Sequence, residues 1–190
     1  MKRIVVLASG SGTLAQAIFD AVQAKTLLCE VAALISDRAD AGVITRAENH
    51  GVPVHLHPMT SDRVQWNKDL HDRLSTLNAD LIVSAGFMRI LDHSITSAFP
   101  IINSHPALLP LFPGAHAVRD ALQSGATHTG TTIHWIDAGV DTGEIIAQES
   151  LEIESGESEE SLHERIKILE RSLIVATIDR LLSMKENATS

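Results

Sequence analysis

Hydrophobic positions along the chain follow two alternating rhythms. Ile4 to Ala8, Val31 to Ile35, Leu81 to Ala85 and the pair Ile101-Ile102 are short unbroken apolar runs rich in β-branched residues, as expected of strands buried on both faces. Between them apolar residues return every three or four positions, the spacing of a helix with one buried face. Leu14, Ala17, Ile18 and Val22 mark a first helix, and Ala41 to His50, closed by Gly51, a second. Ser61 to Leu77, with Val64, Leu70, Leu74 and Leu77 inward, is a third. Val52-Pro53-Val54 is a short strand whose proline places it at a sheet edge. The alternation predicts an α/β fold: an open, mainly parallel, Rossmann-like sheet of about seven strands, with helices on both faces.

After Ile101 the rhythm changes. The run Leu109-Pro110-Leu111-Phe112-Pro113-Gly114 is a rigid connection in which either X-Pro bond can be cis. A helix from about His116 to Gln123 follows, then a strand from Thr129 to Ile136 and a glycine-flanked acidic loop, Asp137 to Gly143. Ile145 to Ile153 is a further strand, antiparallel because no helix intervenes. Ser158 caps a long last helix, with Glu159 and Glu160 in its positive first turn and Leu162, Ile166, Leu169, Leu173 and Ala176 inward. Glu170 stands at the edge of that stripe, facing either solvent or a cleft.

Composition narrows the class. At 190 residues the chain is long enough for one well-cored domain and hardly for two. A net charge of −9 argues against a general nucleic-acid binder or a membrane-surface protein, and no apolar run is long enough to span a bilayer. The single cysteine, Cys29, cannot form an intrachain disulfide and fits a reducing, cytoplasmic setting. Met1-Lys2-Arg3 and the apolar run after it start like an export signal, but the run is short and passes straight into Ser9-Gly10-Ser11-Gly12, as a strand does.

Three stretches carry candidate chemistry. Asn103 and His105 alternate onto one face of a strand that Pro106 stops, and strand ends are where open α/β sheets hold ligands. Strand, glycine turn, helix over Ile4 to Val22 aims free backbone N–H groups at an anion, with Thr13 available as helix cap and phosphate partner; a plain tight turn is the simpler alternative. The third glycine of a dinucleotide fingerprint and the lysine of a P-loop are both missing. His55 and His57 can share a strand face, but no third ligand stands at metal-like spacing, and exposed histidines explain them better than a metal site.

The glycine turn, Gly86-Phe87-Met88-Arg89-Ile90-Leu91, Asn103-Ser104-His105-Pro106, Leu108-Leu109-Pro110, Phe112-Pro113-Gly114 and Val140-Asp141-Thr142-Gly143 occur in this order and at these intervals. Together they resemble the phosphoribosylglycinamide formyltransferases, folate-dependent enzymes of purine synthesis, nearly end to end. The resemblance implies one formyltransferase domain over 1–190, with a phosphate-binding half (1–100) and a folate and catalytic half (101–190). It implies transfer of a formyl group from 10-formyltetrahydrofolate to the amine of phosphoribosylglycinamide, with no metal. Asn103, His105 and Asp141 match the catalytic trio; Gly12, Thr13 and Leu14 the phosphate turn; Met88, Arg89, Ile90, Leu91 and Val140 the folate pocket; Glu170 the acid on the ribose. His105 is expected to be protonated in the field of Asp141. Partners are then small molecules, with no nucleic acid or membrane, and a homodimer is left open. Thr13-Leu14-Ala15 replaces the usual Ser-Asn-Leu, Leu111 a frequent basic residue, Arg171 the usual His, and Ile174-Val175 an aromatic-proline pair. The competing readings are another formyl transferase or hydrolase of the same chemistry, and an NAD-binding module using Asp37.

Overall fold

The computed structural model describes residues 1–187. The elements run β1 (Arg3–Leu7), α1 (Thr13–Gln23), β2 (Glu30–Ser36), α2 (Gly42–Asn49), β3 (Val54–Leu56), α3 (Arg63–Leu77), β4 (Leu81–Ser84), α4 (His93–Thr96), β5 (Ile101–His105), α5 (Ala117–Gln123), β6 (His128–Trp135), β7 (Ile145–Glu152) and α6 (Glu159–Asn187). The strands form one sheet in the order β3-β2-β1-β4-β5-β6-β7. Neighbours from β3 to β5 are parallel, whereas β5–β6 and β6–β7 are antiparallel. β6 is therefore the strand that runs against the rest, and β7 turns back to the common direction. The proline-flanked β3 lies at the sheet edge, as expected.

Period-two alternation divides the core. Ile4, Val6, Ile102 and Ile133 pack with Ile18, Phe19, Val43, Ile174 and Ile178, so α1, α2 and α6 cover one face. Val5, Leu7, Ile82 and Ile101 pack with Trp66, Leu70, Leu74 and Ile95, so α3 and α4 cover the other. On β5 this puts Ile101, Asn103 and His105 toward α3, and Ile102 and Ser104 toward α6.

Two helical stripes differ from the expected phase. In α3, Val64 is 81% exposed, and the buried residues are Trp66, Asn67, Leu70 and Leu74. Asp62 caps this helix, accepting from Gln65 N at 3.0 Å, and that entry turns Val64 outward. In α6, Ala176 is exposed and Leu169 half-buried, while Leu162, Ile166, Glu170, Leu173, Ile174, Thr177 and Ile178 are buried. A carboxylate inside an apolar stripe hid the true phase. Ser158 does cap α6, its Oγ accepting from Ser161 N at 3.2 Å. Thr13 does not cap α1: it is the first helical residue, and Gly12 holds the cap position at φ 77°. A Cβ on Gly12 would stand 2.5 Å from Val43 Cβ, so glycine is required there by both conformation and space.

The corrected α3 phase has a direct test in urea unfolding. Val64→Ala should change stability by less than about 0.5 kcal/mol, and Trp66→Ala should cost about 3–5 kcal/mol.

Candidate active site

The parallel part of the sheet changes direction of winding between β1 and β4, which makes the crevice above their C-terminal ends the natural ligand site. The loops after the two strands meet there: Ser9 N donates to Gly86 O at 3.1 Å, and Met88 N donates to Ser9 Oγ at 2.9 Å. β5 is next to β4 and brings Asn103 and His105 to the same end.

Because β6 opposes β5, the loop leaving β6 starts beside Ile101, where Ile136 N donates to Ile101 O at 2.8 Å. It then folds back over the Asn103/His105 face. Asp137 holds it, accepting from Gly139 N at 2.9 Å and Thr142 Oγ1 at 2.7 Å. Asp141 sits at φ 53°, a left-handed conformation that aspartate tolerates better than most residues. Its Oδ2 is 3.4 Å from His105 Nδ1 and accepts from Gly114 N at 2.8 Å; its Oδ1 is 3.5 Å from His134 Nε2. The neighbouring His134 ring foremost, with the Gly114 N–H and His105, holds the carboxyl down at about 2 against the opposing effect of burial. It is a carboxylate throughout the working range.

His134 was not among the expected site residues. It pairs across the ladder with Asn103, and its Nε2 stands 3.3 Å from Asn103 Nδ2. Its Nδ1 lies 2.9 Å from the Trp135 carbonyl oxygen, which fixes a proton on that nitrogen. One imidazole edge thus borders both Asn103 and Asp141. The available signal was register: a strand antiparallel to β5 must set one of its alternating residues opposite Asn103.

His105 is buried, and its Nε2 donates to the Phe112 carbonyl at 2.8 Å. Phe112 adopts φ 55°, costly for a bulky residue, and the Leu109–Pro110 bond in the same connection is cis. The turn after β5 is braced from β6, where Thr132 Oγ1 donates to Ala107 O at 2.6 Å and accepts from Leu109 N at 3.0 Å. Burial lowers the His105 pKa below its ordinary 6.5 and outweighs the opposing Phe112 hydrogen bond and Asp141 field. This corrects the expectation of a protonated imidazole. In the unliganded protein the ring is neutral near pH 7, with its proton on Nε2 and its Nδ1 lone pair facing a carboxylate.

The sequence pattern of the family described as formyl transferase matches residues 2–178. The chain belongs to the formyl transferase family. It is 43% identical over 186 residues to the phosphoribosylglycinamide formyltransferase of Mycobacterium tuberculosis, covering 94% of this chain and 84% of that one. It is 39% identical over 175 residues to the trifunctional purine biosynthetic protein adenosine-3 of Drosophila pseudoobscura pseudoobscura, covering 89% of this chain and 13% of that one. The crystal structure of phosphoribosylglycinamide formyltransferase from Bacillus halodurans superposes with a TM-score of 0.93 at 40% identity, covering 98% of both chains.

The other residues that the formyl transferase resemblance singled out spread over three places. Gly12, Thr13 and Leu14 open α1. Glu170 is buried behind the sheet, where Ser104 Oγ donates to its Oε1 at 2.7 Å. Burial raises its pKa, against that hydrogen bond and the fields of Lys167 and Arg171. It faces neither open solvent nor the Asp141 side. The five folate candidates do not act alike: Met88, Ile90 and Val140 expose apolar side chains, Leu91 is a core residue, and the Arg89 side chain pairs with the fully buried Asp37 carboxylate. That pairing takes Asp37 away from any ribose and counts against an NAD-binding module. Beside Ile90 opens a cleft of about 690 Å³ lined also by Arg63, Asn67, His71, His93 and Ala138.

Histidines proved less exposed than expected. His57 is buried, with Nε2 3.0 Å from Trp66 O, and His55 Nδ1 is 3.0 Å from Arg73 Nη1. Among the described residues no group of three His, Cys, Asp or Glu side chains is placed to hold a metal.

The lowered His105 pKa has a signed consequence. Folding disfavours that proton, so the unfolded chain binds more protons once pH drops below 6.5, and stability is lost as pH falls from there toward the folded value. In a Tm-against-pH series, His105→Gln should flatten this limb relative to wild type.

Proposed function

We propose that this chain transfers the formyl group of 10-formyltetrahydrofolate to the amine of 5′-phosphoribosylglycinamide, giving the N-formyl product and tetrahydrofolate, in purine biosynthesis. The observation that carries this reading is the meeting, at a strand end, of His105 with Asp141, 36 positions further along the sequence, and of Asn103 with the His134 ring that also borders Asp141.

The chemistry is acyl transfer between two nitrogens. A neutral amine attacks the formyl carbon, its nitrogen gains positive charge, and the formyl oxygen gains negative charge. The Asn103 amide is the donor for that oxygen, a role worth roughly 3–4 kcal/mol in comparable sites. His105 takes the proton that the amine must lose, because Nδ1 offers a lone pair and Nε2 is already committed to the Phe112 carbonyl. Protonation turns an unfavourable lone-pair-to-carboxylate contact into an ion pair with Asp141. The imidazolium then returns the proton to the folate nitrogen as the carbon–nitrogen bond breaks, and the ring is again neutral. Gly114 N holds Asp141 in place for this step, with His134 packed against its other oxygen.

Binding follows the sheet. The phosphate meets the N–H groups at the start of α1, where Leu14 in place of a polar residue leaves the backbone as the donor. The ribose passes over β5 toward Glu170 and Ser104, both on the α1 and α6 side. The folate lies along Met88 to Leu91 and the Val140 loop, with exposed Met88, Ile90 and Val140 as its apolar contacts.

Incubating the protein with phosphoribosylglycinamide and 10-formyltetrahydrofolate should yield formylated ribotide and tetrahydrofolate in equal amounts. Formate release without that product would mean that water is the acceptor. Asp141→Asn should lower kcat by about a hundredfold or more while leaving both KM values within a few-fold; a near-wild-type rate would remove Asp141 from the mechanism.

A further inference from the structure

The glycine turn after β1 is gripped from behind by α2. Val43 N donates to Gly10 O at 3.2 Å, and Arg46 Nε donates to Ser11 O at 2.8 Å. In a planar trans peptide the N–H points away from the C=O of the same unit. A donor on Gly10 O therefore turns Ser11 N–H away from α2, and a donor on Ser11 O does the same for Gly12 N–H. Among the described residues neither N–H has an acceptor, although Gly12 is buried. Two free backbone donors thus face the same way, beside the unpaired N–H groups of the first turn of α1.

Arg46 is itself braced. Its Nη1 donates to Gln16 Oε1 at 3.1 Å, and Gln16 Nε2 donates to Asp20 Oδ1 at 2.7 Å. His50 Nε2 lies 2.9 Å from that same oxygen, and His50 Nδ1 lies 2.8 Å from the Arg46 carbonyl oxygen. The side chains close a ring across α1 and α2, and the guanidinium is its one member that touches the turn. A single planar group spans two acceptors in different segments, Ser11 O and Gln16 Oε1, which a lysine ammonium at the end of a flexible stem does not reproduce.

We infer that Arg46 is a positioning residue for the substrate phosphate: it locks the Ser11–Gly12 peptide so that Gly12 N–H is presented to the anion. This rests on the reading of the turn as the phosphate site. The usual asparagine is absent from this turn, so recognition depends on backbone donors and hence on whatever fixes the peptide planes.

The test compares wild type, Arg46→Ala and Arg46→Lys in steady-state kinetics, and in thermal melting with inorganic phosphate as the probe. Arg46→Ala should raise the KM for the phosphoribosyl substrate about tenfold, the size of one charge-assisted hydrogen bond. The folate KM and kcat should stay within about twofold, and the rise in Tm on adding phosphate should shrink. Arg46→Lys should behave like Arg46→Ala, and methylguanidinium should restore the alanine variant's KM. An unchanged phosphoribosyl KM in Arg46→Ala, or full recovery in Arg46→Lys, would overturn the inference; the second result would mean that charge alone matters. Should the alanine variant not fold, the lysine variant decides. Absence of formyl transfer by wild type would sink the proposed function instead, and the phosphate-melting comparison would still judge Arg46.

Discussion

Asp141 is the hinge of the whole arrangement. One carboxylate is shared by two imidazoles and a backbone N–H, and each contact comes from a different part of the chain: His105 from β5, His134 from β6, Gly114 from the proline-rich connection. Two opposing effects act on this cluster. Burial penalises every charge in it, and mutual attraction rewards opposite charges. For Asp141 the attractions win and the group stays ionised; for His105 burial wins and the ring stays neutral. The resting site is thus one proton short of a matched ion pair. An attacking amine carries the proton that completes it.

The reversed strand makes that cluster geometrically feasible. If β6 ran with the other strands, the loop after it would begin at the His105 end and would carry its acid over the rim. Running the opposite way, β6 sets His134 against Asn103, and the following loop climbs the sheet face to deliver Asp141 beside His134 and His105. On the same strand, buried Thr131 bonds the His105 carbonyl and buried Thr132 holds the turn beyond it, so β6 steadies this end of β5 as well.

Much of this was legible beforehand, and the failures have physical causes. Unbroken β-branched runs marked the buried strands, and Pro53 marked the sheet edge. The Asn103/His105 alternation pointed to a shared face, which β5 provides. Helix phases were harder, because they assumed that carboxylates face water: Glu170 sits inside the α6 stripe, bonded by the Ser104 hydroxyl, and an outward-turned Val64 follows from a cap that periodicity does not weigh. Contacts made by backbone atoms left no trace in side-chain patterns. The Phe112 carbonyl and Gly114 N–H set the tautomer of His105 and the pose of Asp141, and both act through backbone atoms. His134 was hidden for a different reason, since its role needs strand direction and register together.

The balance between burial and charge at His105 is the claim from which the chemistry is derived. Nitrogen-15 NMR of the imidazole in the unliganded wild-type protein measures it directly. Near neutral pH the ring should show a proton on Nε2 and a lone-pair signal at Nδ1, and it should titrate below its ordinary 6.5. Replacing Asp141 by asparagine should move that midpoint lower still, because the field that favours the cation is gone. Two protonated nitrogens near neutral pH in the wild-type protein would contradict the account, since His105 would then have no lone pair with which to accept the amine's proton.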